Sequence, residues 1–177
     1  MNIWHDMPEA RVHAERFPAV IEISRGGKVK YELDKETGLL KMDRVLYTST
    51  HYPANYGFIP RTYAEDGDPL DVLVLSTEIF VPLSLVECRP IGVIAMRDDG
   101  APDEKIVAVP LGDPTYNGYE KIEELPAHIA VEMRHFFTVY KQLEGKRTVI
   151  ESVAGADAAK SVVEKCIHRY REFFQPR

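Results

Sequence analysis

The chain has 177 residues, 45% of them hydrophobic and 28% charged, which suits a single globular domain over 1–177 with a sizeable core. Lys+Arg 22 against Asp+Glu 28 gives a formal net charge of -6. That balance argues against a nucleic-acid partner, whose binders carry a basic excess, but leaves room for a local basic cluster facing a small anion.

The two cysteines, Cys88 and Cys166, form no C-x-x-C pair, so a disulfide framework and a structural zinc site are not expected and both read as buried thiols. Residues 1–16 carry Trp4, Met7 and Val12 among charges and read as a short amphipathic arm. They lack the apolar run of a signal peptide, no stretch is long enough to span a bilayer, and there is no Asn-x-Ser/Thr sequon. A cytoplasmic protein with no membrane partner is expected.

From 19 to 24 the residues alternate, with Ile21 and Ile23 on one face and Val20, Glu22 and Ser24 on the other, as a strand requires. Arg25-Gly26-Gly27 signals a turn. The return segment, 28–34, sets Val29, Tyr31 and Leu33 against Lys28, Lys30 and Glu32. A hairpin is predicted in which Lys30 and Glu32 project together, joined by Glu22; a charged solvent face has the same spacing. After a turn at 35–38, Arg44 shares parity with Leu40, Met42 and Leu46. A guanidinium on that face needs an anion, either an internal carboxylate or a ligand phosphate. The segment 52–60 is too rich in turn formers for a regular strand and too aromatic for a solvated loop. Tyr52 and Tyr56, fixed by Pro53 and Gly57, could offer hydroxyl donors into a cleft or pack in the core.

The stretch D-G-D-P-L-D at 66–71 places Asp66, Asp68 and Asp71 within six residues, ahead of an apolar strand expected at 71–77. Carboxylates crowded on the lip of a strand repel one another. Hard divalent cations among them would relieve that, while a solvated acidic turn uses the same residue types. Segments 90–96 and 105–110 read as two strands joined by an acidic loop at 97–104, whose pairing would bring Asp98 and Asp103 together with Lys105 beside them. Pro126 opens a helix with Ile129, Met133, Phe136, Tyr140 and Leu143 as its stripe, and Tyr140 and Lys141 near its end. A strand at 147–153 and a helix over 157–174 complete the chain. Many short strands followed by two helices predict a β-barrel with helices packed against it.

These motifs in this order resemble the soluble family I inorganic pyrophosphatases of bacterial type, over about 19–153. The sharpest match is D-G-D-P-L-D-V at 66–72. V-K-Y-E at 29–32, D-R at 43–44, Y-P-x-N-Y-G-F-I-P at 52–60, K-I-V-A-V-P at 105–110 and Y-K at 140–141 lie around it. The resemblance implies an α+β, mainly β fold: an OB-like five-stranded β-barrel flanked by two C-terminal helices. It implies hydrolysis of pyrophosphate to two phosphates, with several Mg²⁺ per active site (Mn²⁺ as a substitute), in a homohexamer. Position by position, it gives metal ligation to Asp66, Asp71 and Asp103, to Asp98 with Asp103, and to Glu22 through water. Asp68 would accept the proton of the attacking water; Lys30, Arg44, Tyr56, Lys105, Tyr140 and Lys141 would bind phosphate. Glu32, Tyr52 and Asp99 would support them, Asp99 at a position often Glu in relatives. The chemistry agrees, because short hard carboxylates suit paired cations and Lys and Arg absorb the charge of a leaving phosphate.

An EF-hand loop from Asp66 would need Gly at its sixth position and Glu at its twelfth, where the chain has Asp71 and Thr77. A non-catalytic OB-like barrel binding a metal-complexed nucleotide or nucleic acid is the remaining alternative, and the acidic loops oppose it. None of the six histidines falls in a metal-ligand spacing.

Overall fold

The computed structural model describes residues 2–174. Its centre is a ring of five strands: β1 (Phe17–Ile23), β4 (Asn55–Ile59), β5 (Leu70–Val74), β7 (Ala101–Pro110) and β6 (Leu85–Asp98) follow one another around it, and β6 returns to β1. All neighbours are antiparallel except β5 and β7. Beyond its pairing with β1, β6 also carries β8 (Thr148–Gly155), so one long strand serves both. A separate two-stranded sheet, β2 (Val29–Leu33) with β3 (Leu40–Val45), stands beside the ring. This is the mainly β architecture expected, with helices α2 (Ala127–Val139) and α3 (Ala156–Phe174) packed against it.

Alternation along the strands divides the apolar residues into two cores. Leu70, Val72 and Val74 face α3, with Ile106, Ala108, Val163 and Cys166. Leu73, Leu75, Val107 and Val109 face the other way, with Met133, Phe136, Phe137 and Tyr140 from the α2 region. Both cysteines are buried free thiols. The N-terminal arm contains a short helix, α1 (Ile3–Asp6), and buries Trp4 with Val20, Leu33, Phe58 and Tyr170. No described helix is long and apolar enough to cross a membrane.

Several local expectations give way to tertiary constraints. The predicted hairpin of 19–24 with 28–34 does not pair: β1 is buried along its whole length and takes a place in the ring, while half-exposed β2 pairs with β3. A register shift between Ile21 and Ile23 sends these two residues into different cores instead of onto one face. Met42 is 54% exposed, so the face shared with Arg44 is not an apolar one. The loop read at 97–104 is mostly strand; its turn is Asp99-Gly100, both with positive φ, and Asp98 pairs with Ala101 and Met96 with Asp103. The helix at 127 ends at Val139, so Leu143 falls outside the stripe and is 67% exposed.

The segment 52–60, read as irregular, contains β4, and Gly57 explains how. A Cβ there would lie 1.8 Å from the Val20 carbonyl oxygen, so only glycine lets β4 lie this close to β1. The obstacle is backbone and cannot rotate away. Gly57→Ala is therefore expected to cost about 3 kcal/mol or more, measured by urea unfolding. A loss below about 1 kcal/mol would show that the two strands part without penalty.

Candidate active site

The parallel register of β5 and β7 sets Asp71 directly beside Lys105. Asp103 lies two residues earlier on β7, hence on the same side as Lys105. Antiparallel β6 faces them, pairing Ile94 with Lys105 and Met96 with Asp103, and Asp98 continues that side of the strand. Lys105 is 2% exposed. It donates to Asp71 Oδ2 at 2.7 Å, Asp103 Oδ1 at 3.0 Å and the Tyr56 hydroxyl at 3.0 Å.

The acidic loop is pinned at its base by Thr62, whose hydroxyl donates to the Ile59 carbonyl and accepts the Leu70 N–H at 2.8 Å. Gly67, at φ +86°, allows the turn in which Asp68 N–H donates to Asp66 Oδ1 at 3.0 Å. The two-stranded sheet supplies the opposite wall. There Lys30 Nζ lies 3.3 Å from Glu32 and 3.4 Å from Asp43, and Lys35 pairs with Asp68. Glu22, from β1, accepts the Leu33 N–H at 2.7 Å. Just beyond α2, Tyr140 is buried and Lys141 pairs with Asp98.

Together these surround a polar cleft of about 300 Å³. It is lined by Glu22, Lys30, Glu32, Tyr52, Tyr56, Asp66, Asp68, Asp71, Asp98, Asp103, Lys105, Tyr140 and Lys141. Two anticipated residues lie outside the lining. Arg44 meets Asp43 Oδ2 at 2.5 Å and Glu144 Oε1 at 2.8 Å, the internal carboxylate alternative for its partner. Asp99 donates its N–H to the Arg147 carbonyl at 3.0 Å and accepts the Arg147 N–H on Oδ1 at 3.1 Å, a structural arrangement at the hairpin tip. Lys35 lines the cleft without having been anticipated, because its position in a turn gives no hint of what lies across from it. Glu144 was likewise not anticipated, and Asp43 entered only as the neighbour of Arg44 in the D-R motif.

Carboxylates placed this closely cannot all ionise freely. Burial raises Glu22 to about 8 from its ordinary 4.5, reinforced by Asp71 and opposed by the Leu33 N–H and Lys30. Burial also raises Asp66 to about 6; the Asp68 N–H opposes the shift, while Asp71, Asp68 and Asp103 add to it. Asp103 is pushed up by burial and Asp71 against the pull of Lys105. Burial disfavours the Lys105 charge, but Asp71, Tyr56 and Asp103 outweigh it and hold the ammonium protonated. Burial likewise raises Tyr52, Tyr56 and Tyr140, keeping their hydroxyls neutral.

Among the described residues no three His, Cys, Asp or Glu side chains stand close enough to grip an ion as placed; the Lys105 ammonium sits between Asp71 and Asp103. A hard divalent cation nevertheless suits the donor set. The donors are carboxylate oxygens, Asp66 and Asp103 are raised by burial and mutual repulsion, and buried Asp98 Oδ1 has no hydrogen-bond partner.

A family model described as inorganic pyrophosphatase matches residues 19–171. The chain is 48% identical over 174 residues to soluble inorganic pyrophosphatase 2 of Chlamydomonas reinhardtii, covering 98% of this chain and 91% of that protein. It superposes on the crystal structure of inorganic pyrophosphatase from Thermus thermophilus with a TM-score of 0.91 and 39% identity, covering 97% and 99% of the two chains. The inorganic pyrophosphatase of Helicobacter pylori gives a TM-score of 0.89 and 43% identity, covering 94% and 99%.

The raised Glu22 carboxyl makes stability depend on pH in a definite direction. Between about pH 4.5 and 8 the folded chain keeps a proton that the unfolded chain has released, so stability falls as pH rises through that window. Glu22→Gln removes the decline while keeping an oxygen for Leu33. Without metal, the variant is expected to match the wild type near pH 5 and to exceed it by on the order of 1–3 kcal/mol above about pH 8. Thermal unfolding across pH in a chelating buffer measures this; a difference independent of pH would contradict the assignment.

Proposed function

The chain belongs to the inorganic pyrophosphatase family and its reaction is the hydrolysis of pyrophosphate to two phosphates, which we propose takes place in the acidic cleft with divalent cations, Mg²⁺ foremost, held by its carboxylates. The observation that carries this reading is the Lys105 ammonium shared by Asp71 and Asp103 at 2.7 and 3.0 Å, at the centre of a cleft walled by further carboxylates and lysines. Asp66, Asp71 and Asp103 would hold one ion and Asp71 would be shared with a second. Asp98 and Asp103 would hold another, and Glu22 would reach a further one through water. Mn²⁺ could substitute, since the donors are all oxygens. A bound cation of this kind lowers the pKa of water and offsets the charge of pyrophosphate.

The chain's own groups divide the remaining work. Asp68, at the lip and half exposed, takes the proton of the attacking water. Lys30, Lys105 and Lys141 hold phosphate oxygens by charge, and the neutral hydroxyls of Tyr56 and Tyr140 donate to them. Glu32 and Tyr52 complete the polar lining. Arg44 contributes from behind the wall, since Asp43 contacts both it and Lys30; Asp99 shapes the hairpin that carries Asp98 and Asp103. We also propose that the enzyme is a cytoplasmic homohexamer, which light scattering should report as six chain masses.

Phosphate release from pyrophosphate should require Mg²⁺ and stop with a chelator. Release unaffected by chelation would remove the metal-dependent reading. Asp68→Asn should keep metal affinity by calorimetry while lowering kcat by roughly 10²–10⁴-fold, the range of general-base catalysis. Asp71→Ala should instead weaken metal binding strongly. If the Asp68 variant lost metal binding and the Asp71 variant kept it, the two roles would be reversed.

A further inference from the structure

We propose that Lys35 is a positioning residue for Asp68, and that the N-terminal arm holds Lys35 in place through Trp4. The inference deepens the reading of Asp68 as proton acceptor and rests on it. Lys35 follows β2, on the wall opposite the acidic loop. Its ammonium pairs with Asp68 Oδ1 and donates to the Gly67 carbonyl at 3.2 Å. One side chain thus grips both the carboxylate and the backbone of the loop. Among the described residues no other side chain forms a hydrogen bond or ion pair with the Asp68 carboxylate, so this contact sets where the acceptor oxygens point.

The grip on Lys35 comes from the chain's first residues. The Asn2 side-chain amide donates to the Lys35 carbonyl at 2.7 Å, and the ammonium lies 5.9 Å from the Trp4 ring centroid, within cation–π range. Trp4 is buried, and its indole N–H donates to the Thr62 carbonyl at 2.9 Å. The hydroxyl of the same Thr62 receives the Leu70 N–H at the base of the acidic loop. Trp4 therefore fixes Lys35 against the frame from which Asp68 projects.

The Lys35–Asp68 pair is half exposed, at 50% and 52% for the two side chains, so its contribution is modest. Lys35→Met retains length and apolar contact with Trp4 but loses the charge; Lys35→Arg retains it. With Mg²⁺ and pyrophosphate, Lys35→Met is expected to lower kcat roughly two- to fivefold, the range an exposed ion pair supports, with KM little changed. Lys35→Arg should restore most of the loss. In an Asp68→Asn background, Lys35→Met should cause no further loss. Trp4, the only tryptophan of the chain, gives a readout independent of turnover. In the chelator-treated protein its emission should shift in Lys35→Met and return in Lys35→Arg. Unchanged kcat in Lys35→Met, an equal loss with and without Asp68, or unaltered Trp4 emission would each overturn the proposal. Full turnover in Asp68→Asn alone would instead remove the proton-acceptor reading, and Lys35's role with it.

Discussion

An ammonium buried within a ring of strands is costly unless anions meet it there. Lys105 is met by Asp71, Asp103 and the Tyr56 hydroxyl, and this contact constrains the topology. Asp71 reaches it only because β5 and β7 run parallel in a register that sets residue 71 against 105. Asp103 reaches it only because it lies two residues along the same strand. A register slip of one residue would turn Asp71 toward α3 and leave the ammonium with a lost partner. Removing one partner of a buried ion pair costs about 3–5 kcal/mol, so the register is fixed by charge as well as by packing.

The other cations of the cleft are held in the same way, each by one or more carboxylates at or beside the cleft. Lys30 sits with Glu32 and Asp43, Lys141 with Asp98 and Lys35 with Asp68. Such a lattice can receive a multiply charged anion together with cations without building new groups into position. In the proposed reaction Lys30, Lys105 and Lys141 would exchange a carboxylate for a phosphate oxygen and Asp71, Asp98 and Asp103 an ammonium for a cation. Lys35 would stay with Asp68. The groups are aligned beforehand by the strands that carry them, which is the condition under which electrostatic stabilisation costs least reorganisation.

How much of this was legible in the sequence differs by residue. The acidic loop could be read because Asp66, Asp68 and Asp71 are adjacent in the chain, and the β6–β7 hairpin because Asp98 and Asp103 flank a Gly. What joins them, the parallel neighbouring of Asp71 and Lys105, is a long-range register that no local pattern encodes. Arg44 illustrates the reverse. Its parity with Leu40 and Met42 suggested an inward-facing cation, but β3 lies in the side sheet, and the carboxylates that meet Arg44 come from its neighbour Asp43 and from Glu144, far along the chain. Segment 52–60 was misread because its Pro and Gly look like breakers. Gly57 instead lets β4 lie against the Val20 carbonyl of β1, where a Cβ would have no room.

The apolar side of the site shapes the polar side. The stripe of α2 drives Phe136 and Phe137 into the core against Tyr52, Tyr56 and Tyr140. That packing desolvates the three hydroxyls and raises their pKa against the pull of the nearby Lys105. At Tyr56 the repulsion of Asp71 exceeds the pull of Lys105 and acts in the same direction as burial. The hydroxyls stay protonated and can donate. The aromatic contacts that seat α2 in the core therefore also bury the hydroxyls that face the cleft.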